Sequence, residues 1–332
     1  MYQSLGQVAL KSGERVEAGI VDCPDVEWAS RIEALLGHKG ESWRWQNRSC
    51  ARESLGIDAR YYLLHRDGEP FANMLTATHK GVGHFGHVFT IPEDRRKGAA
   101  HQLMGLLMED FRQRGGLALY LGTGFDSPAY HIYRRHGFEG FAAGSGQMDY
   151  YAEGDAEGFR QQYFAASGQV QTGPPEWRHW PASGALFTST FPAVVRCPSL
   201  RLTARASTEG PFIAVLRREA LALEDNTSSD MVVSERSETG AVVAVARCSG
   251  HPLWSNKLLV DLYGHPDAEQ EMVACVSGLE SIADAPCVSY SDGNSAREAA
   301  LKAVGFKRGP NLPQWIPDLA GDAVDVTVWH RE

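Results

Sequence analysis

A basic turn containing glycine is the stretch of this sequence whose residue types most plainly allow chemistry. It reads Arg95-Arg96-Lys97-Gly98-Ala99-Ala100. The apolar run Val88-Phe89-Thr90-Ile91 leads into it and stops at Pro92, which has no N–H to continue a ladder. Leu103, Leu106, Leu107 and Phe111 follow at helical spacing, and Met104 and Met108 widen that face. A strand, a turn and a helix are thus expected in succession. A helix whose first turn lacks bulky side chains presents free N–H groups and the positive end of its dipole. With three cationic side chains beside it, that is a site for a phosphate or pyrophosphate.

Two further stretches carry groups that move protons. Tyr133 lies on a short helix that Pro128 opens and Gly137 closes, with Ser127 or Asp126 as its cap. A phenol of ordinary pKa, about 10, is a proton donor at neutral pH. Upstream, the strand Val82 to Thr90 carries His84 and His87, and a neutral imidazole suits general-base work at about pH 7.

Arg95, Gly98 and Ala100 fit the pattern R/Q-x-x-G-x-G/A. Ala129, Tyr133, Gly137 and Phe138 fit A-x-x-x-Y-x-x-x-G-F, one helix and one strand further on. In this order and at this separation, the N-terminal half resembles the GNAT acyltransferase superfamily. The resemblance implies acetyl-CoA as co-substrate, no metal, and a pyrophosphate held by Arg95, Arg96, Lys97, Gly98, Ala99 and Ala100. It implies that the strand before the turn splays from its neighbour, so that Val88, Phe89 and Thr90 pair with the pantetheine arm and donate an N–H toward the carbonyl. Tyr133 matches the family tyrosine that protonates the departing thiolate. Family members often take a base from that strand. His84, eleven residues before Arg95, is assigned the role. His87 is the alternate, and Glu93, Asp94 and His131 are further candidates. Asp126 stands where the family often has asparagine. A carboxylate donates no hydrogen bond to a cofactor, and Ser127 or Thr123 is the substitute.

The elements that must position these groups are read from periodicity and breakers. A strand is expected at 15–22, a helix from Pro24 to Leu36, and a helix or aromatic loop from Glu41 to Glu53. Trp43 and Trp45 in the last of these either line an acceptor pocket or pack on a sheet. Asp67-Gly68 signals a hairpin between Tyr61–His65 and Pro70–Ala77. Leu117 to Leu121 reads as a buried strand, and two more strands are expected from Phe138 to Tyr150.

The second half repeats this succession. Hairpin strands flank Glu238-Thr239-Gly240, a strand Leu258–Tyr263 precedes a helix Asp267–Leu279, and Cys287–Tyr290 precedes a helix Asn294–Val304 that ends in Gly305-Phe306. Its turn, Asp267-Ala268-Glu269-Gln270-Glu271, is acidic, and Leu301 stands four residues before Gly305 where a tyrosine would be. The expected fold class is α/β (α+β), with two GNAT-like mixed sheets flanked by helices. The expected domains are 1–150, carrying the intact motif, a connector at 151–192, and a degenerate GNAT-like domain at 193–332.

Composition limits the alternatives. A chain of 332 residues suits two domains, and 43% hydrophobic with 22% charged residues suits a globular protein. The net charge of −9 disfavours a nucleic-acid binder. No apolar run long enough for a membrane span and no signal peptide are read, and the six scattered cysteines suit reduced thiols in a cytoplasmic protein. The resulting expectation is an acetyl-CoA-dependent N-acetyltransferase acting on the primary amine of a small molecule, as monomer or homodimer. The alternatives are acyl transfer from another donor, and a non-catalytic CoA-binding sensor or partner-binding module.

Overall fold

Asp67 and Gly68 both take positive φ, 47° and 83°, and turn the chain back on itself as the Asp-Gly pair predicts. Around that hairpin the computed structural model describes every residue except 166–167, 226–228 and 283–284. The chain divides into two compact units, Met1–Phe159 and Arg160–Glu332. The stretch 151–192, expected as a connector, is therefore split: residues 160–192 lie within the second unit.

The first unit runs β1 (Tyr2–Ala9), β2 (Arg15–Asp22), α1 (Val26–Leu35), α2 (Glu41–Arg52), β3 (Asp58–Arg66), β4 (Glu69–His79) and β5 (Val82–Thr90). It continues through α3 (Ala99–Gln113), β6 (Ala118–Gly122), α4 (Pro128–Arg135), β7 (Glu139–Gly140) and β8 (Gln147–Tyr151), and α5 (Ala156–Tyr163) crosses into the second unit. Its sheet has the order β1-β2-β3-β4-β5-β6-β8-β7. Every pairing is antiparallel except β5 with β6. The helix caps follow the sequence: Asp25 accepts from the N–H groups of Glu27 and Trp28, and Ser127 accepts from that of Tyr130.

β1 had no reading from sequence. Most of its residues are exposed, so neither face carries a period-two apolar signal. The apolar face of α3 behaves as predicted. Leu103, Met104, Leu107, Met108 and Phe111 are buried against Tyr62, Leu64, Met74, Phe85, Leu119 and Leu121 of the strands. Leu106 sits at the edge of that face and is half-buried.

The second unit runs β9 (Val170–Gly173), α6 (His179–Phe187), β10 (Val195–Cys197), β11 (Leu202–Thr203), α7 (Glu209–Glu224), β12 (Met231–Arg236), β13 (Val242–Gly250) and β14 (Leu258–Gly264). It ends with α8 (Glu269–Ser277), β15 (Cys287–Ser291), α9 (Ser295–Ala303), β16 (Lys307–Pro317) and β17 (Ala323–Arg331). Read from the side of β9, its large sheet has the order β9-β12-β13-β14-β15-β17-β16. That is the order β2-β3-β4-β5-β6-β8-β7 of the first unit, element for element, and its parallel pair, β14 with β15, falls at the same place. Two mixed α/β sheets of one topology thus stand in tandem. The sequence reading of the second half missed β9, α6, β10, α7, β16 and β17. Among the described residues α6 is buried all round, so it has no amphipathic stripe to read.

Phe85 ties the first sheet to α4 and to the Gly137-Phe138 turn that follows it. It is 1% exposed, and its ring lies 5.1 Å from that of Tyr133 and 5.7 Å from that of Phe138. Phe85→Ala is expected to lower stability by about 3–5 kcal/mol in urea unfolding, the usual cost of emptying a buried aromatic site. A loss below about 1 kcal/mol would show that the ring is not part of the core.

Candidate active site

The basic turn is set by backbone conformation. Arg96 and Gly98 both adopt positive φ, 65° and 90°, and Gly98 is the N-cap of α3 with no side-chain cap. The positive φ favours glycine at 98, where a Cβ would also press on the Lys11 stem, 3.1 Å from its Cγ. The first N–H groups of α3 therefore open onto a cavity of ≈ 540 Å³. Arg95, Arg96, Gly98, Ala99 and Ala100, all singled out in the sequence, line it together with Thr90 at the end of β5. Lys11, His101 and Arg135 line it too.

Those three were missed for different reasons. Lys11 belongs to the turn between β1 and β2, and its N–H donates to the carbonyl of Lys97 at 2.9 Å. With β1 illegible, nothing in the sequence joins residue 11 to residue 97. His101 and Arg135 sit on α3 and α4 beside predicted residues. The helical positions were legible, but the packing of one helix against the other was not.

Asp94 fixes the turn from below. It is 4% exposed, and its carboxylate accepts from Nη1 and Nη2 of Arg66 at 2.8 and 2.9 Å and from Nζ of Lys97 at 2.8 Å. Arg66 also donates to both carboxylate oxygens of Glu14, at 2.6 and 3.0 Å. Lys97, expected to face a phosphate, thus has its ammonium on Asp94 and is not among the cavity-lining residues. The bonds from Arg66, and then those from Lys97, hold the Asp94 carboxyl down at about 2, against the opposing effect of burial. A carboxylate so engaged is not a base.

Thr90, on the cavity wall, ends a strand that parts from its neighbour. β5 pairs with β6 only through Val82, Gly83 and His84, whose last partner is Tyr120. Beyond that rung β5 bulges: His87 has φ 51°, and the register against β4 shifts between Asn73 and Leu75. Val88, Phe89 and Thr90 follow, all half-buried. Nε of Arg95 donates to the Thr90 carbonyl at 3.0 Å, and its guanidinium lies 5.9 Å from the Phe89 ring centre. His38 packs on the same ring at 4.1 Å.

His84 and Phe85 are successive strand residues, so their side chains take opposite faces of the sheet. Phe85 and Tyr133 lie on the α3 face. His84, 2% exposed, lies on the other face with α1 and α2. The proposed acid and base are therefore on opposite sides of the parted strand. His87 also faces α2, with the ring of Trp43 5.2 Å away edge-on. Burial, with smaller effects of Lys39 and His38, pushes its imidazole down to about 3, so it is neutral at physiological pH.

Asp126 and Ser127 lie outside the cavity lining, which takes Pro128 and Ile132 instead. Ser127 is engaged as the cap of α4. Asp126, at φ 57°, accepts from Nε2 of His131 at 2.9 Å, and both are well exposed. Glu93 is exposed on the turn before Arg95.

In the second unit the corresponding turn differs. The N-cap of α8 is Ala268 at φ −105°, and Glu269 and Glu271 occupy the first turn. Leu301 is fully buried. Asn294 caps α9 through its Oδ1, which accepts from the Arg297 N–H at 2.9 Å.

Residues 30–138 match the family model described as Acetyltransferase (GNAT) family. No curated protein matches the sequence. Among solved structures, the chain is similar to the ribosomal-protein-alanine N-acetyltransferase from Brucella melitensis, with 13% identity and a TM-score of 0.34 over 48% of this chain and 98% of that one. It is also similar to a GNAT superfamily phosphinothricin acetyltransferase from Sinorhizobium meliloti in complex with AcCoA, with 15% identity and a TM-score of 0.34 over 49% and 87% of the two chains. A third is the ribosomal-protein-S18-alanine N-acetyltransferase from Escherichia coli, with 14% identity and a TM-score of 0.30 over 49% and 92%.

The Asp94 cluster has a pH signature. Its folded pKa of about 2 lies below the ordinary value of 3.8, so its contribution is complete above about pH 4 and is lost as pH falls toward 2. Denaturant titrations are expected to show stability falling across that window, and Asp94→Asn is expected to flatten the fall while costing about 1–3 kcal/mol at neutral pH. An unchanged pH slope in Asp94→Asn would assign the acid sensitivity to other carboxylates.

Proposed function

We propose, from the premise that residues 30–138 are a domain of the acetyltransferase (GNAT) family, that the first unit moves an acetyl group from acetyl-CoA to the primary amine of a small molecule by direct transfer. The observation that carries this reading is the cavity at the uncapped N-terminus of α3, whose lining includes Thr90, the last residue of the strand that leaves β6. The residues fit the donor. A pyrophosphate needs close backbone approach, which Gly98 and the small Ala99 and Ala100 allow, and positive charge, which Arg95, Arg96, Lys11 and Arg135 supply.

The chain's residues would then divide the work as follows. The edge of β5 at Val88, Phe89 and Thr90 is left by β6, so its N–H groups are available to an extended arm and to the carbonyl oxygen that gains charge. The amine nitrogen bonds to the acetyl carbon and the carbon–sulfur bond breaks. His84, on one face of the sheet, takes the proton that the amine loses. Tyr133, on the other, gives its phenolic proton to the leaving sulfur. The opposed placement lets each group act without competing for the same proton. The second unit takes no donor in this reading, because carboxylates in the first turn of α8 repel a pyrophosphate.

Calorimetric titration of acetyl-CoA is expected to give one site per chain, lost in an Arg95→Ala/Gly98→Glu double variant. Two sites would assign a working donor site to the second unit, and no binding would remove the transferase reading. Binding without acetyl consumption over a broad amine panel would favour the sensor. Tyr133→Phe is expected to lower kcat by about 10²-fold with little change in donor affinity. Equal turnover across pH would take the acid role away from Tyr133.

A further inference from the structure

The bulge in β5 is held by a hydrogen-bonded set whose donors and acceptors can be assigned. Asn47 Nδ2 donates to the Trp43 carbonyl at 2.7 Å, and the Tyr61 hydroxyl donates to Asn47 Oδ1 at 2.7 Å, so the orientation of this amide is fixed. The same Nδ2 faces Nδ1 of His87 at 3.4 Å. A nitrogen that can only donate faces Nδ1, so Nδ1 is the acceptor of the neutral ring and Nε2 carries the proton. On the neighbouring strand, Asn73 Nδ2 donates to the His87 carbonyl at 2.9 Å, which fixes that amide as well and leaves Oδ1 as its acceptor.

Two polar atoms remain bare: Nε2 of His87, a donor, and Oδ1 of Asn73, an acceptor. Asn73 is 0% exposed and His87 7%. Both side chains are on the α2 side of the sheet. Ala72 and Met74, the neighbours of Asn73, belong to the α3 core, and His87 meets Trp43 and Asn47. Both lie at the bulge: His87 is three residues beyond the last β5–β6 rung, and Asn73 is at the register shift of β4 against β5. That is where an amine approaching on the face of His84 would meet the donor. Leaving one buried donor and one buried acceptor unpaired is unfavourable. A ligand that offers the complementary pair relieves both at once.

We propose that Asn73 and His87 recognise the acceptor, and that the acceptor carries a carboxamide or peptide unit next to its amine. The carbonyl of that unit accepts from His87 Nε2–H, and its N–H donates to Asn73 Oδ1. This orients the adjacent amine toward the parted strands. His87 is a specificity-determining residue here and not the base: its depressed pKa leaves the ring too weakly basic to take the amine's proton. The inference rests on the first unit being the transferase, and it names the class of amine.

The test is calorimetry of L-alaninamide, L-alanine methyl ester and isopropylamine against the free protein, with a short alanine peptide as a fourth arm. Alaninamide is expected to bind at least about tenfold tighter than the ester and isopropylamine, since each lacks a group the pair requires. His87→Phe and Asn73→Leu are expected to bring the ratio near one, and His87→Gln, which keeps an N–H donor, to restore part of it. A purely structural role would weaken all four ligands together. Because Asn73→Leu disturbs the bulge, the two His87 variants carry the comparison if it fails to fold. A peptide that binds tighter than alaninamide would support the proposal and identify a peptide terminus as the source of the amide; equal binding would support a small amide. Equal affinities for amide and ester in the wild type, as when water alone fills the pair, would overturn it. So would a ratio unchanged in the His87 variants. Acetyl-CoA is titrated separately into the wild type, so failure of the transferase reading shows as lost donor binding and not as lost amide discrimination.

Discussion

The parting of β5 from β6 is the constraint on which the rest of the first unit depends. Two parallel neighbours share three rungs and then separate: β6 goes on pairing with β8, while β5 turns at His87. A residue in the left-handed region costs conformational energy, and the surroundings must over-determine it. Here they do, through the Asn73 amide on the His87 carbonyl and the Asn47 amide on its ring. The result is a short stretch of strand edge inside a sheet, flanked by helices, where an extended molecule can take the place of a missing partner strand. Exposed edges are usually suppressed because they invite unwanted pairing. This one is three residues long and walled by aromatic and cationic side chains, which limits what can lie on it.

Asp94 serves the neighbouring turn in a similar way. One carboxylate gathers Arg66 from the end of β3 and Lys97 from the basic turn, and Arg66 brings in Glu14 from the β1–β2 turn. Several loops far apart in sequence are thereby held around one buried charge. Arg66 and Glu14 are each more than a third exposed, so solvent screens their share of the cluster. What the cluster provides is geometry: it keeps Lys11 against Gly98 and leaves Lys11, Arg95, Arg96 and Arg135 as the cations at the cavity.

The second unit separates fold from site. Its strands follow the order of the first, and its parallel pair falls at the same place, yet the turn that would face a phosphate carries carboxylates, and a buried leucine stands in the place of Tyr133. Asn294 is engaged as the cap of α9. Fold and chemistry are encoded by different residues, and one can be kept without the other.

By itself the sequence determined the local devices. The Asp-Gly hairpin, the glycine at the start of α3, the serine cap of α4 and the apolar face of α3 depend on φ preferences and on spacing within a few residues, which a linear reading can see. The order of most elements followed from the same signals, but β1, β9, β10, α6, α7, β16 and β17 were not legible. Only tertiary structure decided which side chains meet. It turned Lys97 inward onto Asp94, replaced it at the cavity with Lys11 from a strand with no periodic signal, and set Asp126 and Ser127 outside the lining. It also put His84 and Tyr133 on opposite faces and buried His87 with one bare nitrogen. These outcomes depend on a bulge, a salt-bridge cluster and strand pairings between residues tens of positions apart. Propensity and spacing act over one or two turns of chain, so they leave such long-range contacts open until the sheet closes.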